Sequence, residues 1–356
     1  MKQSLAGLSL LQLQECLNHL PKFRASQIYK WILSGKNRFE DMTNIPQALQ
    51  KVLSERFNIF SSKVIKRLEA ANTSKIALLL QDNTVIEAVL LSDNKNRLTA
   101  CLSTQAGCPA MCVFCKTGSL GFKRNLESNE IIEQFLHLKN AAAPGKKNGH
   151  VIDNIVIMGM GEPLLNLVNL RKAIDVLCDK KGLNLSQRRI TFSTCGICEG
   201  FFDLAKNGPY PRAALSLVTA DEPLRQRLMP ITKNNPLNKV KDALLLYQKN
   251  GGGRVTLEIP ALALKDSGAV NLSEKDASLI ADFAKGMDTV INIIPWNPVE
   301  GLQFEGRDLC EPDKKETDNF IKSLESHKLN VTMRLHKGKK ICGACGQLGS
   351  FSEADM

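Results

Sequence analysis

The chain has 356 residues, 43% of them hydrophobic, and a formal net charge of +11. That length and apolar content suit a large α/β domain with a small appendage, and no apolar run reaches the roughly 18 residues that a membrane-spanning helix needs. A positive excess of this size attracts polyanions, nucleic acid first. Charge alone would equally suit a merely soluble basic protein.

The elements follow in chain order. The opening MKQSLAGLSLLQLQECLNHLPK breaks its apolar positions with Gln, Glu and His and shows no small-residue cleavage site. It reads as an amphipathic helix of a cytoplasmic protein, not as a secretory signal. Residues 1–62 form a helical accessory domain in this reading. Leu8, Leu11, Leu13 and Cys16 make one apolar face, and Phe23, Ile28, Trp31 and Ile32 another. Arg24, Lys30, Lys36 and Arg38 are interspersed, as a grip on RNA would require. Residues 63–97 read as a connecting β-hairpin, with strands from Lys75 and Val85 and a turn at Asp82 and Asn83.

From residue 98 to 356, strands alternate with helices. Strands are expected at 98–104, 153–159, 188–194, 212–219, 254–260 and 289–295, and a further one at 330–335. Helices are expected at 129–142, 167–180, 199–206, 237–249, 274–285 and 315–328. Ser273 and Asp276 have the spacing of a helix-start cap. Apolar strands alternating with helices imply a parallel sheet, and about six units fit a partial (β/α)6 barrel better than a closed eight-fold one. The stretch at 141–150, AAAPGKKNGH, reads as a flexible basic loop.

Eleven cysteines in a chain without a secretion signal point to metal binding or redox chemistry, not to a disulfide scaffold. Three of them form Cys108-Pro-Ala-Met-Cys112-Val-Phe-Cys115, directly after the first barrel strand. Three such thiolates can hold three irons of a [4Fe–4S] cluster and leave the fourth open. The open iron can chelate the amino and carboxylate groups of S-adenosylmethionine (SAM), and one electron from the cluster then splits the sulfonium to a radical. Zinc is the competing reading, because Cys112/Cys115, Cys195/Cys198 and Cys342/Cys345 are all CxxC pairs. Those pairs lie far apart for a zinc ribbon, and zinc leaves Cys108 unexplained.

The run from Cys101-Leu-Ser-Thr-Gln-Ala-Gly-Cys108 through Gly121-Phe-Lys-Arg-Asn-Leu126 resembles the RlmN/Cfr family of radical SAM RNA adenine methyltransferases. So do Met158-Gly-Met-Gly-Glu-Pro-Leu-Leu-Asn166, Arg188-Arg-Ile-Thr-Phe-Ser-Thr194, Ile294-Pro-Trp-Asn-Pro298 and Ala344-Cys-Gly-Gln-Leu348. The segment Phe23-Arg-Ala-Ser-Gln-Ile-Tyr-Lys-Trp31 resembles the family's accessory domain. The likeness covers nearly the whole chain, in order, and is nearest the adenine-C2 branch.

The resemblance implies that Gly161 and Glu162 meet the methionyl end of SAM. It places further SAM contacts at Ser193, Ser216, Leu217, Val218 and Asn297. Val218 departs from the pattern, since relatives often carry histidine or asparagine there. Valine leaves only a backbone or packing contact. The resemblance also implies that Cys345 takes a methyl group from one SAM. A radical from a second SAM activates that methyl, which then bonds to adenine. Cys101 next attacks the Cys345 sulfur and leaves a disulfide, with Glu87 as the proton acceptor. Implied partners are 23S rRNA, the tRNA adenosine just 3′ of the anticodon, and a reductase or flavodoxin-type electron donor. Cys342 stands where relatives often have an acidic residue. Cys16, Cys178, Cys195, Cys198 and Cys310 read as structural. The alternatives are adenine-C8 methylation of 23S rRNA, a peptide-maturing radical SAM enzyme, and a non-enzymatic zinc-containing RNA-binding protein.

Overall fold

The computed structural model describes residues 2–142, 152–333 and 338–351. Three helices, α1 (Leu10–Cys16), α2 (Lys22–Leu33) and α3 (Gln47–Arg56), form the N-terminal unit. Its ends are joined where β1 (Gln3–Ser4) pairs in parallel with β2 (Phe57–Asn58). The buried face of α1 differs from the expected one. Ser9 caps the helix, so Leu10 and Leu13 turn inward together with the following Leu17, while Leu11 is 72% exposed. Likewise Ala25, Ile28, Tyr29, Ile32 and Leu33 form the inner stripe of α2, and Phe23 lies outside under the guanidinium of Arg24.

Residues 63–92 form three antiparallel strands rather than the expected two: β3 (Lys63–Ala70), β4 (Thr73–Leu79) and β5 (Val85–Ser92). They continue directly into a parallel sheet through β6 (Leu98–Cys101). A short antiparallel pair, β7 (Gln105–Gly107) with β8 (Phe122–Asn125), brackets a loop containing the single-turn α4 (Lys116–Ser119). Then come α5 (Ser128–Ala141), β9 (Asn154–Ile157), α6 (Leu167–Cys178), β10 (Ile190–Thr194), α7 (Cys198–Asn207) and β11 (Arg212–Ser216).

Next are α8 (Glu222–Leu228), α9 (Leu237–Tyr247), β12 (Val255–Ala261), β13 (Ala263–Leu264), β14 (Gly268–Ala269), α10 (Glu274–Ala284) and β15 (Thr289–Pro295). The chain then runs through β16 (Gln303–Phe304), β17 (Arg307–Cys310), α11 (Lys314–Ser326) and β18 (Val331–Met333). The main sheet has the order β18-β15-β12-β11-β10-β9-β6-β5-β4-β3. Its parallel part is the partial barrel expected from the sequence, and no pairing among the described residues joins β18 back to β3. Ser273 and Asp276 make the reciprocal cap of α10.

Two further features differ from the sequence reading. Helix α8 occupies a stretch to which the sequence reading assigned no element, with Asp221 capping it and Pro223 in its first turn. A small antiparallel sheet, β14-β13-β17-β16, has strands too short for periodicity to register. The expected basic loop lies outside the described residues from 143 on, as do 334 and 335 of the last strand. No helix among the described residues is long and apolar enough to cross a membrane.

The N-terminal unit is fastened to the barrel by Glu133 on α5. This fully buried carboxylate accepts hydrogen bonds from Ser4, Asn129 and both the backbone and hydroxyl of Ser61 and Ser62. Tyr29 adds a bond to Asp179 and Lys139 one to the carbonyl of Leu33. Glu133→Gln turns one acceptor into a donor facing other donors. It should cost about 2–4 kcal/mol, the scale for losing hydrogen bonds to a buried charge. Urea denaturation reads this directly, and an unchanged midpoint would contradict the fastening role.

Candidate active site

The C-terminal ends of the parallel strands open onto one cavity with about 1050 Å³ of empty space, mouth included. This end of a β/α barrel is where loop residues from separate strands converge. Cys108, Cys112 and Cys115 stand on its wall, carried by the loop between β7 and β8. The loop turns at Gly107, whose φ is +73°, and a side chain there would meet the Gly121 carbonyl at 1.9 Å. The Cys115 N–H donates to the Cys112 carbonyl at 3.1 Å, and Val113 N–H to Leu228 at 3.1 Å. Helix α8, absent from the sequence reading, thus buttresses the loop.

Burial pushes the Cys108 thiol up to about 12, with the charges of Glu162 and Cys115 adding to the rise. Burial also raises Cys112 and Cys115, and the neighbouring thiols add to it at Cys112. Bare thiols resist ionising here, and a cationic metal centre supplies the charge that makes them thiolates. Arg225 contributes in the same sense at Cys112. It is fully buried, donating to the carbonyls of Leu217, Cys195 and Ser216 and to the Thr232 hydroxyl.

No three His, Cys, Asp or Glu side chains among the described residues are grouped as a single ion requires. The CxxC pairs also part company: Cys195 is on the cavity wall, Cys198 is buried off it, and Cys342 is exposed. The thiols of Cys108, Cys112 and Cys115, carried by one loop with open space in front, fit an iron–sulfur cluster, which is larger than one ion.

Gly161, Glu162, Ser193, Ser216 and Asn297 line the same cavity. Gly161 has φ +103°, and a Cβ there would lie 2.5 Å from that of Gln105. Glu162 is nine-tenths buried or more, accepting from the backbone N–H of Cys195 at 2.8 Å and of Leu164 at 3.0 Å. Burial raises its carboxyl against those bonds. The Ser193 hydroxyl donates to Glu258 at 2.8 Å and sits 3.2 Å from that of Ser216.

Leu217 and Val218 do not line the cavity. Both are fully buried behind it, and their backbone groups are used within the protein. Val218 N–H donates to the Glu258 carbonyl at 3.1 Å, while Asn271 donates to the Val218 carbonyl at 2.8 Å. Its φ of +66° is unusual for a β-branched residue. Sequence reasoning missed Glu258 and Cys195 as wall residues. A lone carboxylate inside the apolar strand Val255-Thr-Leu-Glu-Ile-Pro-Ala261 was the available signal for Glu258.

Cys345 is also on this wall, delivered by the C-terminal segment. Asn297 Nδ2 donates to its carbonyl at 3.1 Å, and Gln347 Nε2 donates to that of Pro298 at 3.0 Å. The thiol loop fixes the other side: Lys116 N–H donates to Gly346 at 2.8 Å and the Thr117 hydroxyl to Leu348 at 2.7 Å. Cys101 and Glu87 do not line the cavity but share a sheet face. Val89 is the cross-strand partner of Cys101, and Glu87 lies two residues away on the same strand. None of the eleven cysteines, all of them among the described residues, is in a disulfide.

Residues 102–263 match the family model of the radical SAM superfamily, and residues 3–59 that of the ribosomal RNA large subunit methyltransferase N-terminal domain. A protein of Treponema denticola described as "Probable dual-specificity RNA methyltransferase RlmN" is 46% identical over 98% of this chain and 96% of its own. One of the same description from Syntrophomonas wolfei is 39% identical over 98% of each. The crystal structure of a radical SAM methyltransferase from Sphaerobacter thermophilus superposes with a TM-score of 0.89 at 30% identity, covering 98% of this chain and 99% of that one. The superfamily's chemistry runs on SAM and an iron–sulfur cluster, which the thiol wall fits. The chain belongs to the RlmN family, radical SAM methyltransferases that act on RNA.

Proposed function

We propose that the protein methylates C2 of adenosine, in 23S rRNA and in the tRNA adenosine just 3′ of the anticodon, with Cys345 as the methyl carrier. The observation that carries this reading is the place of Cys345, which is held on the wall that also bears Cys108, Cys112 and Cys115. Cys108, Cys112 and Cys115 would hold a [4Fe–4S] cluster, which would supply the one-electron chemistry that activates SAM, and SAM would supply the methyl group. A flavodoxin-type protein in the cytoplasm would provide the electron.

The chain's own residues then have distinct tasks. Gly161 and Glu162 receive the methionyl end of SAM, and Ser193, Ser216 and Asn297 line its remaining space. The Cys345 thiolate would take the methyl group as the sulfonium–methyl bond of one SAM breaks; the methyl would then lose one hydrogen atom to the radical from a second SAM, and its carbon would bond to adenine C2 with one electron returned to the cluster. Glu87 takes the proton that leaves C2. The Cys101 thiolate attacks the Cys345 sulfur, the sulfur–carbon bond breaks with the departing carbon taking up a proton to become the methyl group, and the two cysteines end as a disulfide. Nucleoside mass spectrometry of RNA incubated with enzyme, SAM and reductant should show 2-methyladenosine. Exclusive 8-methyladenosine, or unmodified RNA, would contradict the reading.

The N-terminal unit serves RNA binding in this account. Arg24 is engaged internally with Gln27 and Asn44, so the exposed cations Lys30, Lys36 and Arg38 are the better contacts. Replacing these three with Gln should weaken RNA binding and flatten its salt dependence by about 0.7–0.9 log units per lost phosphate contact. SAM cleavage without RNA should be unaffected, because all three side chains face solvent. Unchanged affinity and slope in a filter-binding salt series would rule the contacts out.

A further inference from the structure

The C-terminal segment is pinned at a second place, away from the thiol wall. Lys75 on β4 and Glu87 on β5 form an ion pair at 3.2 Å, with side chains 0% and 1% exposed. The Lys75 ammonium has three protons and three acceptors: Glu87 Oε2 at 3.2 Å, the Cys342 carbonyl at 3.2 Å and the Ser350 hydroxyl at 2.6 Å. Glu87 Oε1 in turn accepts from the backbone N–H of Phe351 at 2.9 Å and lies 3.4 Å from the Ser350 hydroxyl. The Phe351 ring covers the ammonium, with its centroid 4.4 Å from Nζ.

These contacts fall on both flanks of Cys345. The strand register explains how. Lys75, Val89 and Cys101 are cross-strand partners in one row and share a face. Thr73 and Glu87 lie two residues along their strands and so point the same way. The segment lies across this face, because a Cβ on Gly343 would be 3.6 Å from both Thr73 and Val89.

We propose that Lys75 is a positioning residue of the methyl-transfer reaction: its ammonium, paired with Glu87, latches both flanks of the loop that carries Cys345. A buried ammonium needs every proton satisfied, and two of its three acceptors belong to the loop. The loop therefore closes as the charge is satisfied, and Cys345 is seated on the thiol wall. The same contacts occupy Glu87 Oε1, so residues 350 and 351 must withdraw before that carboxylate can accept a proton from substrate. The latch alternates with base action at one oxygen.

The roles of Cys345 and Glu87 rest on the function proposed above, but the latch is testable without it. The test is hydrogen–deuterium exchange across residues 338–351 of the anaerobic, cluster-loaded full chain, together with the alkylation rate of Cys345. Lys75→Met should speed both by about tenfold or more, the scale of one or two lost charge-assisted bonds, while exchange in α5 stays unchanged. Ser350→Ala should give an intermediate rise. Lys75→Met leaves a buried carboxylate unpaired and could fail to fold, so Lys75→Met/Glu87→Gln is the companion variant. It buries no orphan charge yet lacks the ammonium, and should show the same fast loop. Wild-type exchange and labelling in the folded companion variant would overturn the latch. Fast exchange in a protein whose Cys345 never takes a methyl group would leave the latch standing and refute the methyl-carrier reading instead.

Discussion

Cys108→Ala, Cys112→Ala and Cys115→Ala should each bring iron and sulfide from about four per chain to near zero after anaerobic reconstitution. SAM cleavage should vanish with them. The three thiols are carried by one loop whose shape is set by other residues, among them Gly107, Val113 and α8. An alanine should therefore remove a ligand without unmaking the loop. Each thiol is pushed up by burial, so iron and not a proton equilibrium must stabilise the ionised set. Losing one thiolate removes a third of the protein's hold on the cluster. Cys310→Ala, in the small sheet formed by β13, β14, β16 and β17, is the control and should keep full iron. Iron and sulfide assays with a zinc determination decide it. Full iron in any of the three loop variants, or zinc in place of iron, would contradict the cluster assignment.

Cys345→Ala should abolish RNA methylation, with a loss on the order of a thousandfold or more, as for removal of a covalent nucleophile. Its backbone contacts to Asn297 and through Gly346 and Leu348 do not use the sulfur, so the segment should stay in place. The cluster and SAM cleavage should persist. Cys342→Ala separates chemistry from loop packing. Its side chain is exposed, and only its carbonyl meets Lys75, so turnover should remain close to wild type. Intact-protein mass spectrometry adds the mechanistic detail: a methyl mass on wild type and Cys342→Ala, and none on Cys345→Ala. Turnover by Cys345→Ala, or its loss in Cys342→Ala alone, would move the carrier role to Cys342.

The barrel was legible because its strands are short apolar runs and its helices carry regular apolar stripes. The expected strand at 289–295 coincides with β15, and the helix expected at 274–285 with α10. Strand β3 escaped because Lys63-Val-Ile-Lys-Arg-Leu-Glu-Ala70 puts charge on both faces, as an edge strand does. The cysteine motif stood out by its spacing, whereas Met158-Gly-Met-Gly-Glu-Pro163 was marked by the family resemblance.

Other features depend on distance in sequence. Lys75 and Ser350 are 275 residues apart, and nothing local marks a lysine in an apolar strand as the partner of a tail. Arg225 carries no local sign of its place, yet it is fully buried behind the thiol wall. Leu217 and Val218 sit at the right strand end, but the turn after β11 folds their backbone inward, towards Arg225, Glu258 and Asn271. Strand-end position alone could not show that.

In the proposed function, RNA passes through a covalent link to Cys345 that Cys101 resolves. Cys101 shares its sheet face with Lys75 and Glu87, under the C-terminal segment, and is 7% exposed. Anaerobically purified Cys101→Ala protein, digested with nuclease and protease, should yield a peptide whose Cys345 carries a nucleotide through a one-carbon bridge. Folded, cluster-replete Cys101→Ala protein that is free of bound nucleotide and still turns over would contradict it.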